Sequence, residues 1–204
     1  MNDPAAEVMR ALDRGYPAPL AGVDEVGRGP LAGPVVAAAV VLPESGWPPG
    51  VRDSKTLSAA RRESLDALIR DCADVGIGVA EAEEVDALDI HRATLVAMGR
   101  AVAALPARPA HVLVDGKFLP PLDIPATALV KGDARSLCVA AASVVAKVAR
   151  DRIMAAADAE WPAYGWARNK GYGTAEHLAA LAEHGAAPLH RRSFAPVARV
   201  KHPG

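Results

Sequence analysis

The sequence predicts an α/β fold: a mixed sheet flanked by helices, followed by a helical C-terminal extension. Three observations lead there. Short β-branched runs bounded by Gly and Pro, Leu20 to Val26 and Val35 to Leu42, read as buried strands. Longer segments repeat apolar residues at the period of a helix. The composition changes after residue 159, where Trp161, Tyr164, Trp166 and Tyr172 gather among Pro162, Gly165, Gly171 and Gly173.

Taken in order, residues 1–18 are polar, rich in Ala and Pro, and read as a loosely held N-terminal arm. Residues 19–159 form the main domain. The first two strands are separated only by a turn region at Pro30, Gly33 and Pro34, which suits an antiparallel hairpin. Ser58 to Cys72 carries Leu65, Leu68, Ile69 and Cys72 at helical spacing, and Val75 to Ala80 reads as a third strand. Ile90, Thr94, Ala97, Met98, Ala101, Val102 and Leu105 form an apolar stripe with Asp89 placed to cap it. His111 to Asp115 and Ala126 to Lys131 are two further strands, and Asp133 opens a long Ala- and Val-rich helix through about Ala157. Strands separated by a helix suit parallel neighbours, so the sheet is mixed. Residues 160–204 form the extension packed on this domain, with a helix from Thr174 to His184 and a basic tail.

A chain of 204 residues, 51% hydrophobic, supports one good-sized domain with an appendage. A net charge of −1 gives no global basic field, which argues against a nucleic-acid binder until the distribution is considered. From Gly185 onward there is no acid, and Arg191, Arg192, Arg199 and Lys201 lie there with His190 and His202. Acids cluster instead at Glu81, Glu83, Glu84, Asp86 and Asp89. Cys72 and Cys138 lack metal-ligand or redox spacing and read as buried or half-buried thiols in a reducing compartment. No basic-then-apolar leader is present and the longest apolar run, Val35 to Leu42, is too short to span a bilayer, so a cytoplasmic protein without membrane contact is expected.

The chemistry concentrates in Asp24 and Glu25, side by side in an apolar strand. Two carboxylates there are unfavourable unless a cation neutralises them, and hard divalent cations prefer carboxylate oxygens. Asp115 ends one strand and Asp133 follows another, and ligand sites in such sheets gather at strand ends. Four acids from three elements suit two-metal phosphoryl transfer, where one ion activates water and the other stabilises the departing oxygen. Each acid also has a structural reading: an Arg or Lys partner for Asp24 and Glu25, a turn for Asp115-Gly116, an N-cap for Asp133.

Gly27-Arg28-Gly29 allows close backbone approach and supplies a phosphate-matching fork. No helix-opening GxGxxG follows, which disfavours a dinucleotide site. Lys55, in Asp53-Ser54-Lys55, is either a phosphate contact or a solvated lysine. Tyr172, between Gly171 and Gly173, either stacks on a sugar or base or packs the extension. Arg191 and Arg192 either grip phosphates or serve local packing.

These residues fall in motifs that resemble bacterial ribonuclease HII, of the type 2 ribonuclease H family. The motifs are Ala-Gly-Val-Asp-Glu-Val-Gly-Arg-Gly-Pro-Leu at 21–31, Asp-Ser-Lys-Thr-Leu-Ser at 53–58, Val-Asp-Gly at 114–116 and Lys-Gly-Asp at 131–133. Ala-Ala-Ala-Ser-Val-Val-Ala-Lys-Val-Ala-Arg-Asp at 140–151, Lys-Gly-Tyr-Gly-Thr at 170–174 and His-Arg-Arg-Ser-Phe-Ala-Pro-Val at 190–197 complete the order. The resemblance covers roughly residues 20 to 197.

It implies a ribonuclease H-like fold with residues 19–159 as catalytic domain. It implies a Mg²⁺- or Mn²⁺-dependent endonuclease that cuts the RNA strand of RNA/DNA hybrids and incises at single ribonucleotides in duplex DNA. Asp24, Glu25, Asp115 and Asp133 would be the metal-binding and catalytic acids. Gly27, Arg28 and Gly29 would contact the 2′-OH and adjoining phosphates, and Tyr172 would stack on the next sugar. The expected working form is a monomer. The rival readings are a DNA nuclease of the same fold and a catalytically silent hybrid-binding module.

Overall fold

The computed structural model describes residues 4–51 and 57–200. Five strands, β1 (Leu20–Val26), β2 (Val35–Val41), β3 (Asp74–Ala80), β4 (His111–Asp115) and β5 (Ala126–Leu129), form one sheet in the order β3-β2-β1-β4-β5. β1 and β2 pair antiparallel, as do β2 and β3, whereas β1 pairs parallel with β4 and β4 with β5. The mixed sheet is the one expected, and its switch from antiparallel to parallel pairing falls at β1.

Helices α2 (Ala59–Cys72) and α5 (Leu137–Glu160) cover one face, and α3 (Ala82–Leu88) and α4 (Ile90–Ala103) lie on the other. Alternation along the strands sorts the core. Leu20, Ala38, Val40 and Leu113 pack toward α5, and Ala21, Val23, Ala37 and Val114 toward α4. α5 lies directly on β1, because a Cβ at Gly22 would collide with the α5 backbone at Cys138. Asp89 caps α4 as expected, its carboxylate accepting from the N–H groups of His91 and Arg92.

Several expectations are corrected. The N-terminal arm is not loosely held: α1 (Pro4–Asp13) packs on the domain with Ala6, Met9, Arg10 and Asp13 buried. Those four positions form a helical stripe, but half of it is charged, which hides its amphipathic signal. Asp13 accepts a hydrogen bond from Cys138 N at 3.1 Å and so tethers the arm to the first turn of α5. The acid cluster around Glu83 includes helix α3, which starts at a Glu81–Glu84 capping box rather than at Ser or Thr. Asp133 does not open the long helix. It lies in a 3₁₀ turn, Gly132–Ala134, and Ser136 caps α5 by accepting from Val139 N. β5 is shorter than expected, ending at Leu129, and Cys72 is exposed, not buried.

The extension holds a 3₁₀ turn (Pro162–Tyr164), α6 (Trp166–Asn169), α7 (Ala175–His184) and α8 (Ala195–Ala198). Its small core of Tyr164, Trp166, Ala180 and Ala187 includes Ala32 and Met154 from the main domain. No helix among the described residues is long and apolar enough to cross a membrane.

Candidate active site

The β1–β4 register places Val23 opposite Val114, so the next residues, Asp24 and Asp115, are neighbours across a parallel ladder. Glu25 follows at the strand end. Each of Asp24, Glu25 and Asp115 offers a carboxylate oxygen, and these oxygens lie within 4.8 Å of one another. Asp24 is buried, and Glu25 and Asp115 are half-buried. Burial pushes the Asp24 carboxyl well above its ordinary range, with the Glu25 and Asp115 charges adding to the rise, although a Ser143 hydrogen bond opposes it. Burial also raises Glu25, against the pull of Arg28, whose Nη1 stands 3.4 Å from Glu25 Oε1.

The site fits a divalent cation. Glu25 Oε2 is buried and has no hydrogen-bond partner. An orphaned carboxylate oxygen beside two further carboxylates is an oxygen donor set for a hard cation. Asp115 Oδ1 accepts from Gly132 N at 2.6 Å, which draws the 3₁₀ turn with buried Asp133 to the end of β4. Asp133 is not part of the three-acid group.

Beside the acids, residues 27–34 connect the end of β1 to the start of β2. Gly27 has φ +95°, and a Cβ there would collide with the Arg150 side chain. Gly29 and Tyr172 are brought together, since a Cβ on Gly29 would lie 3.6 Å from Tyr172 Cε1. Tyr172 is 46% exposed, so much of it stays open beside that turn. Backbone hydrogen bonds from Leu31 N to Gly171 O and from Gly33 N to Leu189 O, both 2.8 Å, bind the turn to the extension.

The remaining basic candidates separate. Arg191 is buried completely and donates to backbone carbonyls of residues 27–33, so its reading as a phosphate grip is corrected in favour of packing. Arg192 is exposed, and its N–H donates to Asp86. Lys55 lies outside the described residues. Arg150 and Ser143 received no role from sequence. Both sit on the buried face of α5, and a lone Arg inside an apolar helical stripe is the signal that marks the first.

A buried histidine pair stiffens the Tyr172 loop. His177 Nδ1 lies 2.9 Å from the Tyr172 carbonyl, which can only accept, so Nδ1 carries the proton. His177 Nε2 then accepts from Trp166 Nε1 and from His190 Nε2, the latter at 3.0 Å, and His190 Nδ1 accepts from Ala187 N. Both rings are neutral in this network. Burial lowers both, and with the His177 neighbour His190 falls to about 4.

Two clefts of about 540 Å³ lie by Pro109 and Leu122 and by Tyr16 and Pro19, near the starts of β4 and β1. The acids stand at the opposite strand ends, beside the exposed Arg28, Gly29 and Tyr172, which suits a polymeric substrate better than an enclosed small molecule.

A family model for ribonuclease HII matches residues 21–197. A ribonuclease HII from Rhizorhabdus wittichii is 57% identical over 188 residues, covering 92% of this chain and 93% of its own. One from Paracidovorax citrulli is 61% identical, covering 89% of this chain and 76% of its own. Among solved structures, the ribonuclease H2 of Pyrococcus horikoshii OT3 superposes with a TM-score of 0.75 at 26% identity, over 88% of this chain and 95% of that one. The match spans the acid cluster, the Gly27–Gly29 turn and the Tyr172 loop alike, and the chain belongs to the ribonuclease HII family.

Proposed function

We propose that this ribonuclease H cuts the RNA strand of RNA/DNA hybrids and also nicks duplex DNA on the 5′ side of a single embedded ribonucleotide. The products carry 3′-OH and 5′-phosphate ends. The observation that carries this reading is the adjacency of two features: a carboxylate cluster with an orphaned oxygen, and the exposed Gly29–Tyr172 surface next to it.

Asp24, Glu25 and Asp115, with Asp133 from the adjoining turn, would hold Mg²⁺ or Mn²⁺. When bound, such a cation supplies Lewis-acid stabilisation of phosphate charge and activation of water. Ser143 orients Asp24 through its hydrogen bond. Arg28 holds Glu25 and leaves 47% of its side chain open toward a phosphate. The Gly27–Gly29 backbone would read the 2′-OH, the group that distinguishes ribose from deoxyribose, and Tyr172 would stack on the following sugar. The exposed Arg192 would add a backbone-phosphate contact, and Lys55 is assigned to the same duty. All four acids come from one chain, so we take a monomer as the working form. Two free thiols suit the cytoplasm.

The test is a duplex with one ribonucleotide, incubated with and without Mg²⁺, its product ends mapped on a sequencing gel beside an all-DNA duplex. A single Mg²⁺-dependent nick 5′ of the ribose is expected. Cleavage of the all-DNA control, or no cleavage of the single-ribonucleotide duplex beside robust cleavage of long hybrids, would overturn the specificity.

A further inference from the structure

Two buried guanidiniums lie beneath the 27–34 turn. Arg191 donates from Nε to Gly33 O, from Nη1 to Arg28 O and Pro30 O, and from Nη2 to Gly27 O and Gly33 O, at 2.5 to 3.0 Å. Arg150 donates to Pro34 O, Lys170 O and Ala32 O at 2.9 to 3.1 Å. Both side chains are fully buried, and among the described residues all their hydrogen-bond partners are backbone carbonyls. This arrangement satisfies carbonyls that would otherwise be buried without a donor.

Peptide geometry gives it a purpose. In a trans peptide the C=O of one residue and the N–H of the next point in opposite directions. With Gly27 O and Arg28 O turned inward onto Arg191, the N–H groups of Arg28 and Gly29 face outward, and both residues are exposed. The planar fork of an arginine offers five donors in fixed directions and so sets several carbonyls at once, whereas a lysine offers three rotatable donors on one atom. Arg150 adds a link across the gap, because one guanidinium holds both Ala32 O and Lys170 O. Arg191 is itself anchored from outside: Asp86 accepts from Arg192 N, Ser193 N and Ser193 Oγ.

We propose that Arg191 and Arg150 are positioning residues for ribonucleotide recognition, setting the outward direction of the Arg28 and Gly29 N–H groups and holding the Tyr172 loop beside them. This rests on the cleavage reading above and names what makes its recognition surface.

The experiment compares wild type, Arg191→Lys, Arg150→Lys and Asp86→Asn on a single-ribonucleotide duplex and on a long RNA/DNA hybrid. It measures kcat and KM for each, Mg²⁺ half-saturation, and thermal unfolding. In Arg191→Lys, kcat/KM on the single-ribonucleotide duplex is expected to fall about 100-fold, the scale of an ångström-sized misplacement. The fall on the long hybrid should be smaller, because neighbouring riboses offer other registers, and Mg²⁺ half-saturation should not move. Arg150→Lys should act in the same direction. Asp86→Asn, a half-buried change that leaves both guanidiniums in place, should shift the substrate ratio by about fivefold, one hydrogen bond's worth. Equal losses on both substrates, tracking the folded fraction with unchanged KM, would make the arginines merely structural and overturn the inference. If Arg191→Lys and Arg150→Lys do not fold, Asp86→Asn decides, and an unchanged substrate ratio sinks the idea. A wild-type protein that cuts neither substrate removes the cleavage reading itself, and the inference with it.

Discussion

The carboxylates of Asp24, Glu25 and Asp115 and the guanidiniums of Arg150 and Arg191 are both groups of like charge withdrawn from water, within one short stretch of the fold. The arginines spend their donors on carbonyls that would otherwise be unpaired. The acids keep an orphaned oxygen and a carboxyl held well above its usual range by burial and, after that, by its acidic neighbours. One cluster closes its hydrogen bonds within the protein, and the other leaves a carboxylate oxygen open. A buried charge cluster therefore says little about function by its charge. Whether its hydrogen bonds close within the chain says much more.

Breaking the open cluster has the largest expected effect. Asp115→Asn keeps the shape and the acceptor for Gly132 N but removes a charge. Loss of several kcal/mol of cation-mediated stabilisation, at 1.36 kcal/mol per decade, predicts a fall of about a thousandfold in single-turnover cleavage at saturating Mg²⁺. Near-wild-type turnover in this variant removes Asp115 from the site.

Breaking the closed cluster acts on stability. Arg191→Met leaves the carbonyls of Gly27, Arg28, Pro30 and Gly33 buried without their donor, and a destabilisation of about 3 kcal/mol or more is expected in urea unfolding. A loss under 1 kcal/mol means that water has replaced the guanidinium.

The histidine pair sharpens the comparison from a third side. His190 is depressed to about 4 from the ordinary 6.5. Between those values the unfolded chain binds the extra proton, so this contribution is fully present above 6.5 and is lost as pH falls toward 4, by up to about 1.4 kcal/mol per pH unit. His190→Gln should flatten that slope in unfolding titrations, and an unchanged slope assigns the acid sensitivity elsewhere.

The smallest effect has the opposite sign. The raised Asp24 and Glu25 carboxyls hold protons in the folded state that the unfolded chain has already released. Without cation, stability therefore falls as pH rises from the usual carboxylate range through the raised one. Asp115→Asn relieves that repulsion and should stabilise the cation-free protein by about 1 kcal/mol near neutral pH, as relief of strained active sites commonly does. Calorimetric unfolding in chelator reads the sign. Destabilisation there would show that the carboxylates are already neutralised within the chain.

How far the sequence could be read follows from where each partner lies. Asp24 and Glu25 were legible because adjacent acids in an apolar strand have no easy structural account. Asp115 followed from the strand-end pattern, and the register then made it the neighbour of Asp24. Arg191 was not legible: next to Arg192 in an acid-free tail it looks like a surface cation, and its carbonyl partners lie about 160 residues away in the chain. α1 was missed because Arg10 and Asp13 occupy its buried stripe, so period and polarity contradicted each other. Asp133 and Ser136 are both acceptable caps three residues apart, and only the 3₁₀ turn before α5 decides between them.

Gly22 carries a consequence of its own. No side chain separates β1 from α5 at that point, because a methyl group would strike the Cys138 backbone. The same turn of α5 receives the tether from Asp13, and Ser143, one turn further along, braces Asp24. A random-mutagenesis screen for loss of nuclease should therefore return position 22 beside the acids, with even alanine scoring as a null. That allele would resemble an active-site lesion while all four candidate carboxylates were still encoded.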